Sequence, residues 1–486
     1  MKIQHTLPAI LLVVVAAAAQ TVAAAPPNES YNQFRQSILQ DFQVFRQGVM
    51  NDYSRFLDST WAEFERFKGE SRSAAPKPKT APIHREADGD DQPVVLPEPT
   101  VDIADAPAPQ PIDIPDSPHA REPKSTRAFE FYGLPLEIGR CDVILNHRLT
   151  NSGAFANQWR TLLSDPTATD LARRLGMLAD ELGLNDYLTF DLVRKYVQQA
   201  YPSVHSTSRA ALVHFIMTSL GFDARIATGG GEGVLLLPTL QTIYGRPYMK
   251  IGDRKFYVFS ETDNVDTSGS ISTCVLPADA QTGRAIDMRI TSPLNLPRKA
   301  RPFSLAYGDI SLSGELNENI YPMLYRYPQT DMAVYAGSVL DPTLRASLVD
   351  QLKSQLDGKG RLEAVDALLE FTQNAIDYAT DEASHGFEKP YFLEEWLYYP
   401  LNDCEDRATF YTYMLWNALG VECQMITYPG HESASVCMDE PLTGDSYNYK
   451  GRTFFISDPT YLGAKTGQCM PNFIDLAPEI EYHYGR

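Results

Sequence analysis

Positive charge is scarce in this chain. Its 486 residues hold 42 lysines and arginines against 62 aspartates and glutamates, a formal net charge of -20 at pH 7. No Lys/Arg cluster breaks that balance, which argues against nucleic acid and anionic membrane as partners. Cysteine is also scarce. The six are Cys141, Cys274, Cys404, Cys423, Cys437 and Cys469, too few for a disulfide-stapled scaffold. No Cys/His set has zinc-like spacing. Gly229-Gly230-Gly231 with Gly233 lacks the Lys-Ser/Thr of a phosphate loop and leads into a strand. Asp88-Gly89-Asp90-Asp91 lacks the closing glutamate of a calcium loop, and Pro93 stands where its glycine belongs. No cofactor and no metal are therefore expected. Beyond the N-terminus no run is long and apolar enough for a transmembrane segment.

The first 25 residues read as a removable signal peptide. Met1-Lys2 is its positive start, Ala9–Ala19 its short apolar core and Ala23-Ala24-Ala25 its cleavage site. The expectation is a soluble protein, secreted or periplasmic. In such an oxidising compartment an even number of cysteines suggests three disulfides. Cys423 and Cys437 lie about equally far from Pro429-Gly430, so one hairpin register would set them face to face.

Residues 26–70 carry an internal repeat. FRQSILQDFQV, FRQGVMNDYSR and FLDSTWAEFER follow one another with a period of eleven, and each opens with Phe. Eleven residues make three turns at about 3.67 per turn, which lines the aromatics along one helix face. That stripe, within 31–67, would self-associate, dock on a partner or pack against later domains. Residues 71–126 are rich in Pro, Ala, Asp and Glu and read as a disordered linker. An α+β domain is expected over 127–284, with helices at Thr169–Leu182, Asp186–Ala200 and Ser208–Leu220. A β-rich segment follows over 285–340, and a second α+β domain over 341–486.

The chemistry concentrates in that last domain. Asp403 is a good N-cap, and RATFYTYMLWNAL (Arg407–Leu419) is an unbroken helical pattern stopped by Gly420. Cys404 thus falls in the first helical turn, where the dipole and free N–H groups favour a thiolate and can hold an oxyanion. Three carboxylates crowd it, and Asp403, Glu405 and Asp406 are expected to point away from the sulfur, with Asp406 pairing to Arg407. Glu422–Tyr428 and His431–Met438 read as strands joined by Pro429-Gly430, and Thr453–Ser457 as a third ending at Asp458. If the last two run antiparallel, His431 and Asp458 meet. A Cys, a His base and an orienting Asp in that order suit nucleophilic acyl transfer.

The runs DCEDRA, YPGH and SDPTY resemble the core of transglutaminase-like proteins, especially secreted bacterial members, over about Pro342–Pro471. The resemblance implies a papain-like α+β core with Cys404 as nucleophile, His431 as base and Asp458 as the orienting residue. It departs at Glu432-Ser433, where many members have a small residue and an aromatic. The second oxyanion donor stays open between Trp396 and Asn402. The expected function is a cysteine-dependent hydrolase or transglutaminase acting on a peptide or protein amide. The alternative is a non-catalytic scaffold or binding protein that keeps the fold. HSTSRAAL (His205–Leu212) before a helix ending Leu220-Gly221 echoes DCEDRATF, and suggests a degenerate first copy of the core. Matching on Arg-Ala puts Ser206 at the Cys404 position, and matching on Leu-Gly puts His205 there.

Overall fold

The computed structural model describes residues 78–81, 100–103, 126–145, 148–229, 231–261, 271–275 and 283–485. All the described residues fall within the second of two units, Lys77–Arg486. The expected signal peptide and eleven-residue repeat lie outside the described residues. Among those described, no helix is long and apolar enough to cross a membrane. The second unit is mixed α+β with several separate sheets.

The Pro-rich stretch is anchored at two places. Thr100–Ile103 forms strand β1, paired parallel to a later strand, and Lys79 exchanges backbone hydrogen bonds with Leu462. The first module opens with the hairpin β2 (Thr126–Phe131) and β3 (Leu134–Gly139). Helices α1 (Ser152–Leu163), α2 (Pro166–Glu181), α3 (Asp186–Ala200) and α4 (Ser206–Ser219) follow. Asn151, Asp165 and Asn185 cap the first three through their side chains, each satisfying an otherwise unpaired N–H of the first turn. Helix α4 is buried nearly all round, its apolar residues joined by buried Ser206, Thr207, Ser208 and His214. It packs on a sheet of β4 (Arg225–Gly229), β5 (Glu232–Pro238), β6 (Tyr248–Ile251), β7 (Arg254–Phe259) and β8 (Ile271–Val275), with β1 at its edge. At Gly233 a Cβ would sit 2.7 Å from Ala210 Cβ and from Thr207 Cα, so only glycine allows this approach of helix and sheet.

The segment 285–340 holds one hairpin, β9 (Ala300–Tyr307) and β10 (Ile310–Asn317), then two short helices, α5 (Tyr321–Leu324) and α6 (Met332–Ala336). Helices α7 (Pro342–Leu356) and α8 (Arg361–Asn374) lead into the second module. There follow β11 (Asp377–Tyr378), α9 (Asp381–Ser384), α10 (Leu393–Tyr398) and β12 (Leu401–Asn402), then the central helix α11 (Cys404–Leu419). Helix α11 is again buried on nearly every side, with Phe410 stacked on Trp396 at 3.7 Å, and it ends at Gly420 in the left-handed region. Behind it lies a sheet of β13 (Cys423–Tyr428), β14 (His431–Cys437), β15 (Ser446–Tyr449), β16 (Arg452–Ile456) and β17 (Glu479–Tyr484).

The two modules share a strand order. From one edge the first sheet runs β6-β7-β5-β4-β8 and the second β15-β16-β14-β13-β17. Every neighbouring pair among these ten strands is antiparallel, the parallel β1 being an addition at the edge of the first sheet. In both, a buried helix immediately precedes the two central strands.

Candidate active site

Helix α11 starts at Cys404, and its thiol is buried, 2 % exposed. The sulfur accepts the backbone N–H of Glu432 and donates to Glu405 Oε2 at 3.1 Å. Glu405 therefore does not point away from the sulfur as the sequence suggested. The strand behind the helix closes over Cys404 from the other side, so the first turn's outward face is itself interior. Burial first, then the Glu405 and Asp403 charges, push the thiol well above its ordinary pKa. The expected Asp406–Arg407 pairing also fails. Asp406 accepts the Tyr391 and Asp403 backbone N–H groups at 2.8 and 3.2 Å. Arg407 turns to Asn402 Oδ1 at 2.7 Å and to the Ile376 carbonyl at 2.8 Å.

Strands β14 and β16 run antiparallel, which brings the first residue of one beside the end of the other. His431 Nε2 lies 2.8 Å from Asp458 Oδ2, with both side chains buried. Asp458 Oδ1 accepts the Thr460 and Tyr461 backbone N–H groups, which fixes the carboxylate. Phe473 stacks on the imidazole, 5.2 Å between centroids and 3° between planes. The ring is held on one face and at one nitrogen, and Nδ1 is left over. Cys404 and His431 line the same cavity, of about 730 Å³.

Behind Cys404 lies a buried acidic network that the motif did not reveal in full. Asp381, on α9, accepts the Lys389 backbone N–H, and its own N–H donates to Asp403 Oδ2 at 3.2 Å. The carboxyls of Asp403 and Glu405 are hydrogen-bonded to each other, an arrangement that needs a shared proton. Burial and the Glu405 charge raise Asp381 to about 7. Burial and mutual repulsion lift Asp403 and Asp406 well above the usual carboxylate range. Oxygens of Asp381, Asp403 and Asp406, and of Asp381, Glu388 and Glu405, come within 4.8 Å of one another. Such sets can shed charge by protonation or hold a divalent cation. Beside them Lys389 Nζ pairs with Glu395 Oε2 at 2.7 Å, almost fully buried.

Neither proposed oxyanion donor reaches the cavity wall. Trp396 is stacked under Phe410, and its indole N–H is buried and without a hydrogen-bond partner. Asn402 accepts from Arg407 Nε through Oδ1, and its Nδ2 is buried without a partner and off the cavity lining. All six cysteines are buried and unbridged, which overturns the expectation of three disulfides. Across the β13–β14 hairpin Cys423 faces Val436, one residue short of Cys437. A one-residue slip turns a side chain to the opposite face of the sheet.

The first module has its own residues at the equivalent places. Helix α4 starts at Ser206, as α11 starts at Cys404. Gly229 pairs with Glu232 across the first hairpin, as Tyr428 pairs with His431 across the second. Ser206 Oγ donates to a Glu232 carboxylate oxygen. Matching on Arg-Ala is therefore the register the helix start supports.

No family model matches this chain, and no curated protein matches it.

Proposed function

We propose that the chain is a cysteine-dependent acyl-transfer enzyme, secreted or periplasmic, built on a papain- or transglutaminase-like core. The observation that carries this reading is the buried His431–Asp458 contact at 2.8 Å, with His431 and Cys404 lining one cavity. Asp458 holds Nε2, so Nδ1 is the nitrogen that takes the thiol proton. The sulfur then attacks an amide carbonyl of a peptide or protein. The imidazolium returns the proton to the departing amine, and a thioester remains. Water or another amine resolves it. The N-terminal backbone of α11 is the natural oxyanion donor. In the resting protein the nucleophile is a neutral thiol, so His431 acts as a general base rather than as one half of a standing ion pair.

The first module, on this reading, is a degenerate copy of the same core. Ser206 and Glu232 hold the places of nucleophile and base, and a carboxylate facing a hydroxyl is too weak a base to activate it near neutral pH.

One contact favours a second reading. Glu405 holds the thiol protonated at 3.1 Å, as a silent thiol in a non-catalytic binding protein would be held. The two separate on alkylation of Cys404 by a neutral reagent. General-base assistance makes the rate fall by about 10²-fold or more in His431→Ala. A rate indifferent to His431 supports the binding protein.

A further inference from the structure

The cavity beside Cys404 is walled by carboxylates. Glu388, Glu405, Glu432, Glu479 and Glu481 line it, and no lysine or arginine does. Two buried acids of the first module are matched by arginines, Asp191 with Arg194 and Asp223 with Arg225 and Arg254. Glu432, Glu479 and Glu481 make no ion pair among the described residues. Glu432 Oε2 is buried in the wall without a hydrogen-bond donor. Burial, then the charges of Glu481 and Glu405, push its carboxyl well above the usual range, against a hydrogen bond from the Thr427 side chain. Glu481 is raised by burial, then by Asp331 and Glu479. Like charges are thus crowded around open space, and an incoming cation relieves that repulsion.

The space suits a side chain with its flanking backbone, since ligand sites run from about 300 to 1,000 Å³. Its uncharged wall comes from Tyr244 of the first module and from Gln329, Thr330 and Thr427, which offer hydrogen bonds without positive charge.

We propose that the site selects an acyl donor bearing positive charge, a peptide segment with lysine or arginine beside the attacked carbonyl. The proposal rests on Cys404 being the nucleophile. The cation belongs to the donor rather than to an amine acceptor. A wall of carboxylates holds an amine as ammonium, which has no lone pair for a thioester. Hydrolysis is therefore the favoured outcome.

The test compares three methanethiosulfonates on the full chain: cationic aminoethyl, neutral methyl and anionic sulfonatoethyl. Labelling of Cys404 is followed by mass, with Cys404→Ala supplying the background from the other cysteines. At low salt the cationic reagent is expected to react at least tenfold faster than the anionic one. High salt should shrink that ratio, and so should Glu479→Gln with Glu481→Gln. Equal or reversed rates overturn the proposal, as does failure of the cationic reagent to reach Cys404. The salt dependence in the unmutated chain decides the matter even if the double variant folds poorly. The neutral reagent's dependence on His431 is a separate result, so charge selection and the nucleophile reading fail independently.

Discussion

Cys404 Sγ donates its hydrogen bond to Glu405 Oε2 at 3.1 Å, so the thiol is held by its immediate neighbour in sequence. That carboxylate raises the thiol pKa, second only to burial. Replacing Glu405 by Gln removes the charge and leaves the shape. One adjacent charge is worth about one pKa unit, or roughly tenfold in thiolate. Alkylation of Cys404 near pH 8 should accelerate by about that factor in Glu405→Gln. An unchanged rate would mean the contact does not control the thiol.

The acidic network makes a prediction about stability. Asp381 binds its proton more tightly folded, at about 7, than a free aspartate does at about 3.9. The folded state then holds more protons than the unfolded state between these values, so stability is fully present below about pH 4. It falls as pH rises through about 7. Asp381→Asn should abolish that loss, raising the melting temperature by a few degrees at pH 8 and by little at pH 5. Parallel pH profiles for the two proteins would refute it.

Lys389 and Glu395 form an almost fully buried ion pair. Removing one partner strands a buried charge, at a cost of about 3–5 kcal/mol. Lys389→Met should lose that much in denaturant titration, and adding Glu395→Leu should recover most of it. A double variant no more stable than the single one would contradict this account of the pair.

Ser206 stands at the start of α4, bonded to Glu232. If the first module is chemically silent, Ser206→Ala should leave turnover of an activated ester unchanged within about twofold, while Cys404→Ala abolishes it. Loss of turnover in Ser206→Ala with the fold intact would make the first module a participant.

Much of the scaffold was legible in the sequence. The α3 pattern over Asp186–Ala200 matches the observed helix, because cap and periodicity agree there. The His431–Asp458 approach followed from reading two strands as antiparallel neighbours. What escaped was what depends on side-chain direction or on distant chain. Spacing alone could not show that β14 closes over the first turn of α11 and makes Glu405 interior. Asp381, on the short helix α9, and Glu388, in the loop after it, arrive from about twenty residues upstream, and Glu479 and Glu481 from the edge strand β17. The Cys423–Cys437 reading failed by one residue of register. The likeness of the two modules lies in strand order more than in residue identity, so a short match on Arg-Ala was its only trace.

The most direct measurement is intact-mass analysis of the protein mixed with an activated ester and quenched within its first turnovers. Acyl transfer through Cys404 predicts one added acyl group on that residue. It should decay on standing in water, accumulate far more slowly in His431→Ala and be absent in Cys404→Ala. An unmodified Cys404 in an otherwise folded protein, or an adduct that forms equally well without His431, would contradict the account.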